Sequence, residues 1–281
     1  MTATYTHSYF IHMKVRQTIA FALLTAYALV STGCVTTQLH KFRMTVSEAP
    51  EVHGTNTNQK QNSSVWRFTG KVNYNYEEKE DISEDIHRTM DLDELFDEKK
   101  LQFDDAAYKM GGLDFTAKAD YLRKTEYFVY GFGLGYKDGL FNHIMFGWNF
   151  SHFEFGAFAG LYTQFNEVEY EGVIIDDDED VANETIRDNS YHTGTSFFAG
   201  AYAGFYLEKL FFNYSVSTYL PPYVTIEDKL ELSVPRITSH YFTVGYRLTD
   251  RIEISAGGIF TDIDTEGGAN GGYTGGVSFY L

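Results

Sequence analysis

The sequence predicts an all-β fold: a closed, antiparallel, up-and-down transmembrane β-barrel of about ten strands, with short periplasmic turns and long acidic external loops. Three observations predict it. Runs of about ten residues alternate apolar with polar or small side chains, which is typical of strands with two unlike faces. The apolar faces are crowded with Phe, Tyr and Trp, and no other part of the sequence offers an apolar layer large enough to cover them. Short and long connections also alternate along the chain, as they do in barrels that cross a bilayer.

The region 65–76 shows the alternation most clearly. Trp66, Phe68 and Val72 fall on one face, whereas Arg67 and Lys71 fall on the other. A run of about ten residues, tilted near 45°, is long enough to cross the hydrocarbon layer. Further strands are predicted, within bounds of roughly eight and twelve in all, at 113–122, 126–136, 140–150, 153–164, 193–207, 210–220, 236–248, 251–262 and 272–281.

The connections predict the orientation of the barrel. Alternate links are only two or three residues long, at 123–125, 151–152, 208–209 and 249–250. The links between them are generally longer, up to about 30 residues. Because short turns of outer-membrane barrels face the periplasm and long loops face outward, both chain ends are expected on the periplasmic side.

In strand number, strand length and loop pattern, residues 65–281 resemble the bacterial outer-membrane β-barrel proteins as a broad group. The last strand, which ends in Phe279-Tyr280-Leu281, is similar to the carboxy-terminal assembly signal of that group. The resemblance implies that the chain lies in the bacterial outer membrane. It also implies two partners, outer-membrane lipid and the outer-membrane insertion machinery.

Residues 1–33 are predicted to be a secretory signal peptide, with Met13 as the true start. From there Lys14 and Arg16 form a positive region, and 19–30 is an apolar core of twelve residues. This core is too short for a membrane-spanning helix and has the flanks of an export signal. The chain is therefore expected beyond the inner membrane.

The pair Gly33-Cys34 follows the apolar core and resembles the bacterial lipoprotein signal. In that signal the cysteine becomes the lipidated first residue of the mature chain, so the resemblance implies lipid attachment at Cys34. The alternative is an unmodified cysteine near an ordinary cleavage site. Residues 34–64 are polar and aperiodic, which predicts a flexible tether between the anchor and a barrel at 65–281.

The charge distribution excludes one class of partner and suggests another. A formal net charge of −17 opposes a phosphate-binding surface, so nucleic acid is not expected. The predicted external loops 77–105 and 171–190 carry net charges of −9 and −7. Clustered carboxylates are usual ligands of divalent cations such as Ca²⁺, and a solvated acidic loop is the alternative interpretation. The cluster in question is Asp176, Asp177, Asp178, Glu179 and Asp180.

Charged residues of both signs fall on the faces opposite the apolar ones and are predicted to line the lumen. They are Arg67, Lys71, Asp114, Lys118, Asp120, His143, Glu154, His240, Arg247 and Glu253. Because the first two strands are neighbours, Arg67 or Lys71 is expected to pair with Asp114 or Asp120. Ion pairs could close the lumen, or glycine rows could leave a passage, and both interpretations stay open.

Some barrels of this kind are enzymes, and the omptin proteases resemble this chain in having ten strands. Their sites use an Asp–His couple beside an Asp pair, but the only Asp-x-His here is Asp85-Ile86-His87, within an acidic loop. His192 and the pair Ser239-His240 are isolated polar residues. Catalytic residues, cofactors and resident metal ions are therefore not expected.

The predicted function is a non-catalytic outer-membrane barrel, with either a structural or surface-interaction role or a narrow small-solute pore. Two alternatives come from other classes. One is an outer-membrane surface hydrolase, an omptin-like protease or a lipid-modifying enzyme. The other is a lipoprotein whose sheet folds as a soluble periplasmic ligand-binding barrel.

Overall fold

The structure is a computed structural model, and it describes residues 35–55, 62–81, 105–176, 184–222, 224–226, 230–232, 234–264 and 269–281. The strands, in chain order, are β1 (Val35–Thr45), β2 (Ser63–Asp81), β3 (Asp105–Lys124), β4 (Phe128–Tyr136), β5 (Gly139–Phe150), β6 (Phe153–Asp176), β7 (Glu184–Leu207), β8 (Leu210–Tyr219), β9 (Val224–Ile226), β10 (Leu230–Leu232), β11 (Ile237–Thr249), β12 (Ile252–Ile263) and β13 (Ala269–Tyr280). In this part of the chain, no helix is long and apolar enough to span a membrane.

Ten strands close into a barrel. β2 to β8 pair in chain order, β8 then pairs with β11, and β11, β12 and β13 follow one another until β13 returns to β2. Every pairing in this ring is antiparallel. The predicted closed antiparallel barrel of about ten strands is confirmed, and its closure leaves no free sheet edge in the ring.

The two faces of the wall differ as the alternation predicts. On β2 the outward Phe68 and Val72 are 41% and 50% exposed, whereas the inward Arg67 and Lys71 are 0% and 3% exposed. β5 alternates buried and exposed residues over its entire length. Aromatic and aliphatic groups thus cover the outside of the barrel. The inside holds buried polar and charged groups beside a cluster of buried apolar side chains that includes Leu122, Phe141 and Phe158.

Four strands are longer than predicted. β2 and β3 extend into the predicted loop 77–105, and β6 and β7 extend into the predicted loop 171–190. In these extensions the strands stay paired, although the sequence no longer alternates aromatic with polar residues. An antiparallel ladder satisfies the backbone N–H and C=O groups in water as well as in lipid. We call this end of the barrel the long-loop end, and the end with the two- and three-residue links the short-turn end.

β4 and β5 stop short of this end, and β1 takes their place in the wall. Their hairpin turns at Lys137-Asp138, where Asp138 has a φ of 47°. Beyond the turn, β1 pairs in parallel with β3 and antiparallel with β6. Val35 lies opposite Asp176, the last residue of β6, so β1 starts at the long-loop end and runs inward.

This placement corrects two expectations. The range 34–64 was expected to be a flexible tether, but it contains β1 and a run, 46–55, in which every residue is buried. The first described residue was expected on the short-turn side, but Val35 lies at the long-loop end. The physical reason is that acidic residues in 46–55 find cations inside the barrel, a partner that composition alone does not reveal. Only the carboxy terminus follows expectation, since Leu281 pairs with Trp66 at the short-turn end.

Candidate functional site: a lumen filled by residues 46–55

Residues 46–55 follow β1 and precede β2 in the chain, and they occupy the lumen of the barrel. We call them the lumenal segment. Ten extended residues span at most about 33 Å, which is close to the ~30 Å hydrocarbon thickness of a bilayer. The segment passes Asn75, then Lys71, then Arg67 on β2, so it descends from the long-loop end to the short-turn end. The lumen of the described barrel is therefore occupied by a segment of the same chain.

Glu48 binds near the long-loop end. Its Oε2 lies 2.8 Å from the Nζ of Lys137, and its other oxygen accepts a hydrogen bond from the side-chain amide of Asn75. Lys137 also donates to the Tyr241 hydroxyl at 3.0 Å and lies 4.0 Å from Asp114. Lys137 and Glu48 are both buried, so this ion pair is shielded from solvent.

Glu51 binds at the middle of the lumen. Its Oε2 lies 2.5 Å from the Nζ of Lys71, and its Oε1 accepts from the Thr243 hydroxyl at 3.5 Å. The Nζ of Lys118 donates to the backbone carbonyl of Glu51 at 3.2 Å. Two buried lysines from neighbouring strands therefore converge on one residue of the segment.

Arg67 joins the wall to the lower part of the segment. Its Nε and Nη2 donate to Oδ2 of Asp120 at 2.9 and 2.6 Å. Its Nη2 also donates to the carbonyl oxygen of His53 at 3.0 Å, and its Nη1 donates to that of Gly54. The guanidinium thus pairs with the wall and holds the segment at the same time.

The segment ends at Thr55 against two acids of the wall. The Thr55 hydroxyl and backbone N–H donate to Glu154 at 2.8 and 3.1 Å. The Tyr280 hydroxyl lies 3.2 Å from the Thr55 carbonyl and donates to Glu253 at 2.7 Å. Arg247 lies 3.4 Å from Glu253, which pairs that acid within the wall.

Backbone carbonyls of the segment are also satisfied by the wall. Three of them accept from hydroxyls: Ser47 from Tyr219 at 2.7 Å, Ala49 from Tyr241 at 2.6 Å, and Val52 from Ser215 at 2.7 Å. The donors lie on β8 and β11, opposite the lysines of β2 and β3. The segment is therefore bound from both sides of the barrel.

The structure places nine of the ten predicted lumen residues on the inward face and one on the outward face. Arg67 and Asp120 form the pair just described, and Lys71 binds the segment rather than Asp114. His240 is the exception, since it shares the outward face of β11 with Phe242 and donates to or accepts from the Tyr214 hydroxyl at 2.8 Å. Its parity with Phe242 dictates this side, and the tyrosine supplies the polar partner that a histidine needs there.

Two predicted sites lie wholly or partly outside the described residues. Cys34, the proposed lipid attachment site, precedes them, and Asp177, Asp178, Glu179 and Asp180 fall in a gap between β6 and β7. Asp176 is described only by its backbone, as the end of β6. Within the described ranges, no group of three His, Cys, Asp or Glu residues is arranged to hold a metal ion.

Among the described residues, the pair Ser239-His240 is not arranged as a hydrolytic site. Asp85-Ile86-His87 lies outside the described ranges. Ser239 faces inward, where it accepts from the Ala49 N–H at 3.0 Å, and its neighbour His240 faces outward. Adjacent strand residues point to opposite faces, so these two cannot act as a nucleophile and its base.

Sequence reasoning missed Glu48, Glu51 and Lys137. The two glutamates lie in a run that was interpreted as a tether, and the lysine lies in a turn. One signal was present, because Phe42, Met44 and Val46 alternate with Lys41, Arg43 and Thr45 just before the segment. That alternation marks β1, but it does not show where the following residues go.

No protein-family model matches this chain, and no curated protein matches it. Among solved structures it is similar to the toluene transporter TodX of P. putida, at 8% identity, with 79% of this chain and 90% of that chain covered and a TM-score of 0.29. It is also similar to the CymD monoaromatic hydrocarbon channel, at 6% identity, with 79% and 89% covered and a TM-score of 0.30. At this degree of likeness, the function of this chain has to be argued from its own residues.

Proposed function

We propose that the chain is a bacterial outer-membrane barrel and a narrow channel for small polar solutes, which its lumenal segment holds closed. The proposal rests on one observation: two lysines of the wall are paired with carboxylates of the lumenal segment. Lys71 and Lys137 on the wall obtain their carboxylate partners from Glu51 and Glu48 of the segment. The wall is therefore built around something that is not part of the wall.

The outward face supports membrane insertion. Phe68, Val72, Phe146 and Trp148 are between 41% and 50% exposed, and similar side chains continue around the ring. Monomeric soluble proteins rarely expose apolar patches beyond a few hundred Å², so this surface suits lipid and disfavours a soluble periplasmic barrel. By the usual orientation of such barrels, the long-loop end faces outward and the short-turn end faces the periplasm.

The inward face supports a route for polar solutes. Besides its charges, it carries the hydroxyls and amides of Thr69, Asn73, Ser215, Ser217 and Thr243, all buried. Donors and acceptors of this kind can replace part of the hydration shell of a small polar solute. The segment is held in the lumen by non-covalent contacts, through polar groups and through the apolar Val46, Ala49 and Val52, so its displacement would leave a passage that polar groups line in part. The role remains non-catalytic in this proposal.

The remaining partners are part of the same proposal. Lipid of the outer membrane covers the outward face, the insertion machinery receives the chain through β13, and divalent cations bind near Asp176 to Asp180. If Cys34 is acylated, the lipid would anchor at the external side, because Val35 lies at the long-loop end.

Planar-bilayer recording tests the channel. We expect the full chain to show little conductance, and a variant with residues 46–55 replaced by ten alternating Gly and Ser residues to conduct steadily. As a matched control, ten such residues are inserted between Glu208 and Lys209, at an exposed short turn outside the segment. The control should fold, as judged by heat-modifiable migration in SDS, and should stay closed.

A surface role is the second candidate, and one observation favours it. β1 is held between β3 and β6, so the barrel carries Val35 to the same end as the acidic loops. If the replaced variant folds but does not conduct, the channel proposal is overturned and this role is the one left. An epitope placed before Val35 should then be reached by antibody on intact cells.

A further inference from the structure

We propose that the lumen admits small carboxylate anions, which bind where Glu48 and Glu51 bind now. The inference rests on the proposed function, since it concerns the passage that opens when the lumenal segment leaves. Its basis is that the segment presents two carboxylates to two sets of wall donors. Those donors would accept the same group from a solute.

The first set of donors lies at the level of Glu48. Lys137 supplies a cation at 2.8 Å, and the Asn75 amide donates to the second oxygen. The Tyr241 hydroxyl, 3.0 Å from Lys137, orients that lysine. A cation and an amide on the two oxygens of one carboxylate make a site of defined geometry.

The second set lies deeper, at the level of Glu51. Lys71 is 2.5 Å from one carboxylate oxygen and the Thr243 hydroxyl is 3.5 Å from the other. Lys118 contacts Glu51 through the backbone carbonyl and not through the carboxylate. Without the segment, both lysines would point into the passage.

The charge of the wall agrees with an anionic solute. Among the described residues, the fully buried charged side chains of the wall number five cations against three acids, an excess of two positive charges; they are Arg67, Lys71, Lys118, Lys124, Lys137, Asp120, Glu154 and Glu253. Glu48 and Glu51 of the segment bring the total to zero. Counting the half-buried charged residues that face the lumen as well leaves an excess of one; they are Asp114, Asp138 and Arg247.

The cations are also spread along the passage rather than grouped at one end. On β3, Lys118 and Lys124 are six residues apart, and on β2, Lys71 and Arg67 are four apart. Lys137, at the β4–β5 turn, lies toward the long-loop end. Several sites in series let an ion leave one as it enters the next, which conduction requires.

The acidic loops act against anions at the external mouth, and salt separates the two effects. The ranges 77–105 and 171–190 carry net charges of −9 and −7. The Debye length is about 10 Å at 0.1 M salt and about 3 Å at 1 M. High salt therefore screens the loops, while an ion inside the passage still lies against the lysines.

Reversal potentials of the Gly-Ser variant test the inference. Under a gradient of 1 M against 0.1 M KCl, we expect a several-fold preference for chloride over potassium. Adding Lys71→Glu and Lys118→Glu should invert the preference, whereas Lys209→Glu, at an exposed short turn, should leave it unchanged. Succinate should reduce the chloride current, and Lys71→Gln with Lys118→Gln should weaken that block, because only the site of Lys137 and Asn75 is then left.

The outcomes separate this inference from the proposed function. If the variant folds and conducts but prefers potassium, or if succinate does not block it, the proposal that the lumen admits carboxylate anions is wrong. The proposal that the barrel is a channel would still stand. A variant that folds and does not conduct overturns the channel, and the anion class with it. Chloride preference that depends on Lys71 and Lys118 supports both.

Discussion

The outward and inward faces of β2 share one backbone but need different things from their surroundings. Phe68 and Val72 face outward and require only an apolar environment, which any lipid provides. Arg67 and Lys71 face inward, and each requires one particular partner, Asp120 in one case and Glu51 in the other. The difference shows that the outside of the barrel is set by composition, whereas the inside is set by pairing.

The inward pairs themselves fall into two kinds. Arg67 and Asp120 both belong to the wall, so the barrel carries this pair whatever occupies the lumen. Lys71 and Glu51 join the wall to the lumenal segment, so this pair exists only when the lumen is filled. Loss of the pair of Arg67 and Asp120 should therefore destabilise the barrel, whereas loss of the pair of Lys71 and Glu51 should loosen the lumenal segment.

The largest effect is expected from Asp120→Ala. It leaves the fully buried Arg67 without its wall carboxylate, and removal of one partner of a buried pair typically costs about 3 to 5 kcal/mol. Urea unfolding in lipid vesicles measures the loss. Asp250→Ala, at an exposed short turn, is the matched control and should change the free energy of unfolding little. Equal effects of the two variants would contradict a pair that holds the wall.

The next effect tests the outward face. Val72→Arg places a charge on the middle of the apolar band, where a cation facing lipid costs about 2 to 4 kcal/mol. Ser64→Arg lies on the same strand and face at the short-turn rim, where the cost falls to about 0 to 1 kcal/mol. The same unfolding measurement compares them. A difference that vanished would mean that this face does not contact hydrocarbon.

A smaller and more local effect is expected from Glu51→Gln. The amide can still accept a hydrogen bond from Lys71, so we expect a loss of about 1 to 3 kcal/mol, as for a buried polar group whose partner is weakened. The segment should also loosen. In a chain with Cys34→Ser and Val52→Cys, thiol labelling should be faster when Glu51→Gln is added and unchanged when the exposed Glu167→Gln is added. Unchanged labelling in the first case would show that Glu51 does not hold the segment.

The same contrast explains what the sequence could predict. Every second residue of 66–76 except Gly70 is apolar, and this one period is enough to predict a strand and the outward face of each residue. No such pattern marks Glu51. Its partners Lys71 and Lys118 come near it only because the barrel folds around the segment, and their spacing in the sequence does not show this. His240 marks the limit in another way. Its polarity suggested the lumen, but its parity with Phe242 on β11 decides its side.

The smallest effect concerns β1, which lies in the wall but outside the ring of ten strands. Lys41 on β1 lies 2.5 Å from Glu169 on β6, and the side chains are 23% and 29% exposed. Glu169 lies beyond the apolar band, and the hydrogen bond from Lys41 holds the pKa of its carboxyl below the usual value of a glutamate. A lowered pKa in the folded chain means that the pair stabilises it above the unfolded value of about 4.3 and stops doing so as the pH falls through the folded value.

Lys41→Gln should therefore cost about 0.2 to 1 kcal/mol at pH 7, as expected for a partly exposed pair, and less near pH 3, where more of Glu169 is protonated. Urea unfolding of both proteins at the two pH values measures this difference. Arg236→Gln is the control, because its pair with Asp264 is 60% and 64% exposed and should contribute less at either pH. A cost that stayed the same at low pH would mean that Lys41 acts through packing and not through Glu169. β1 would then be held to β6 by its backbone ladder alone.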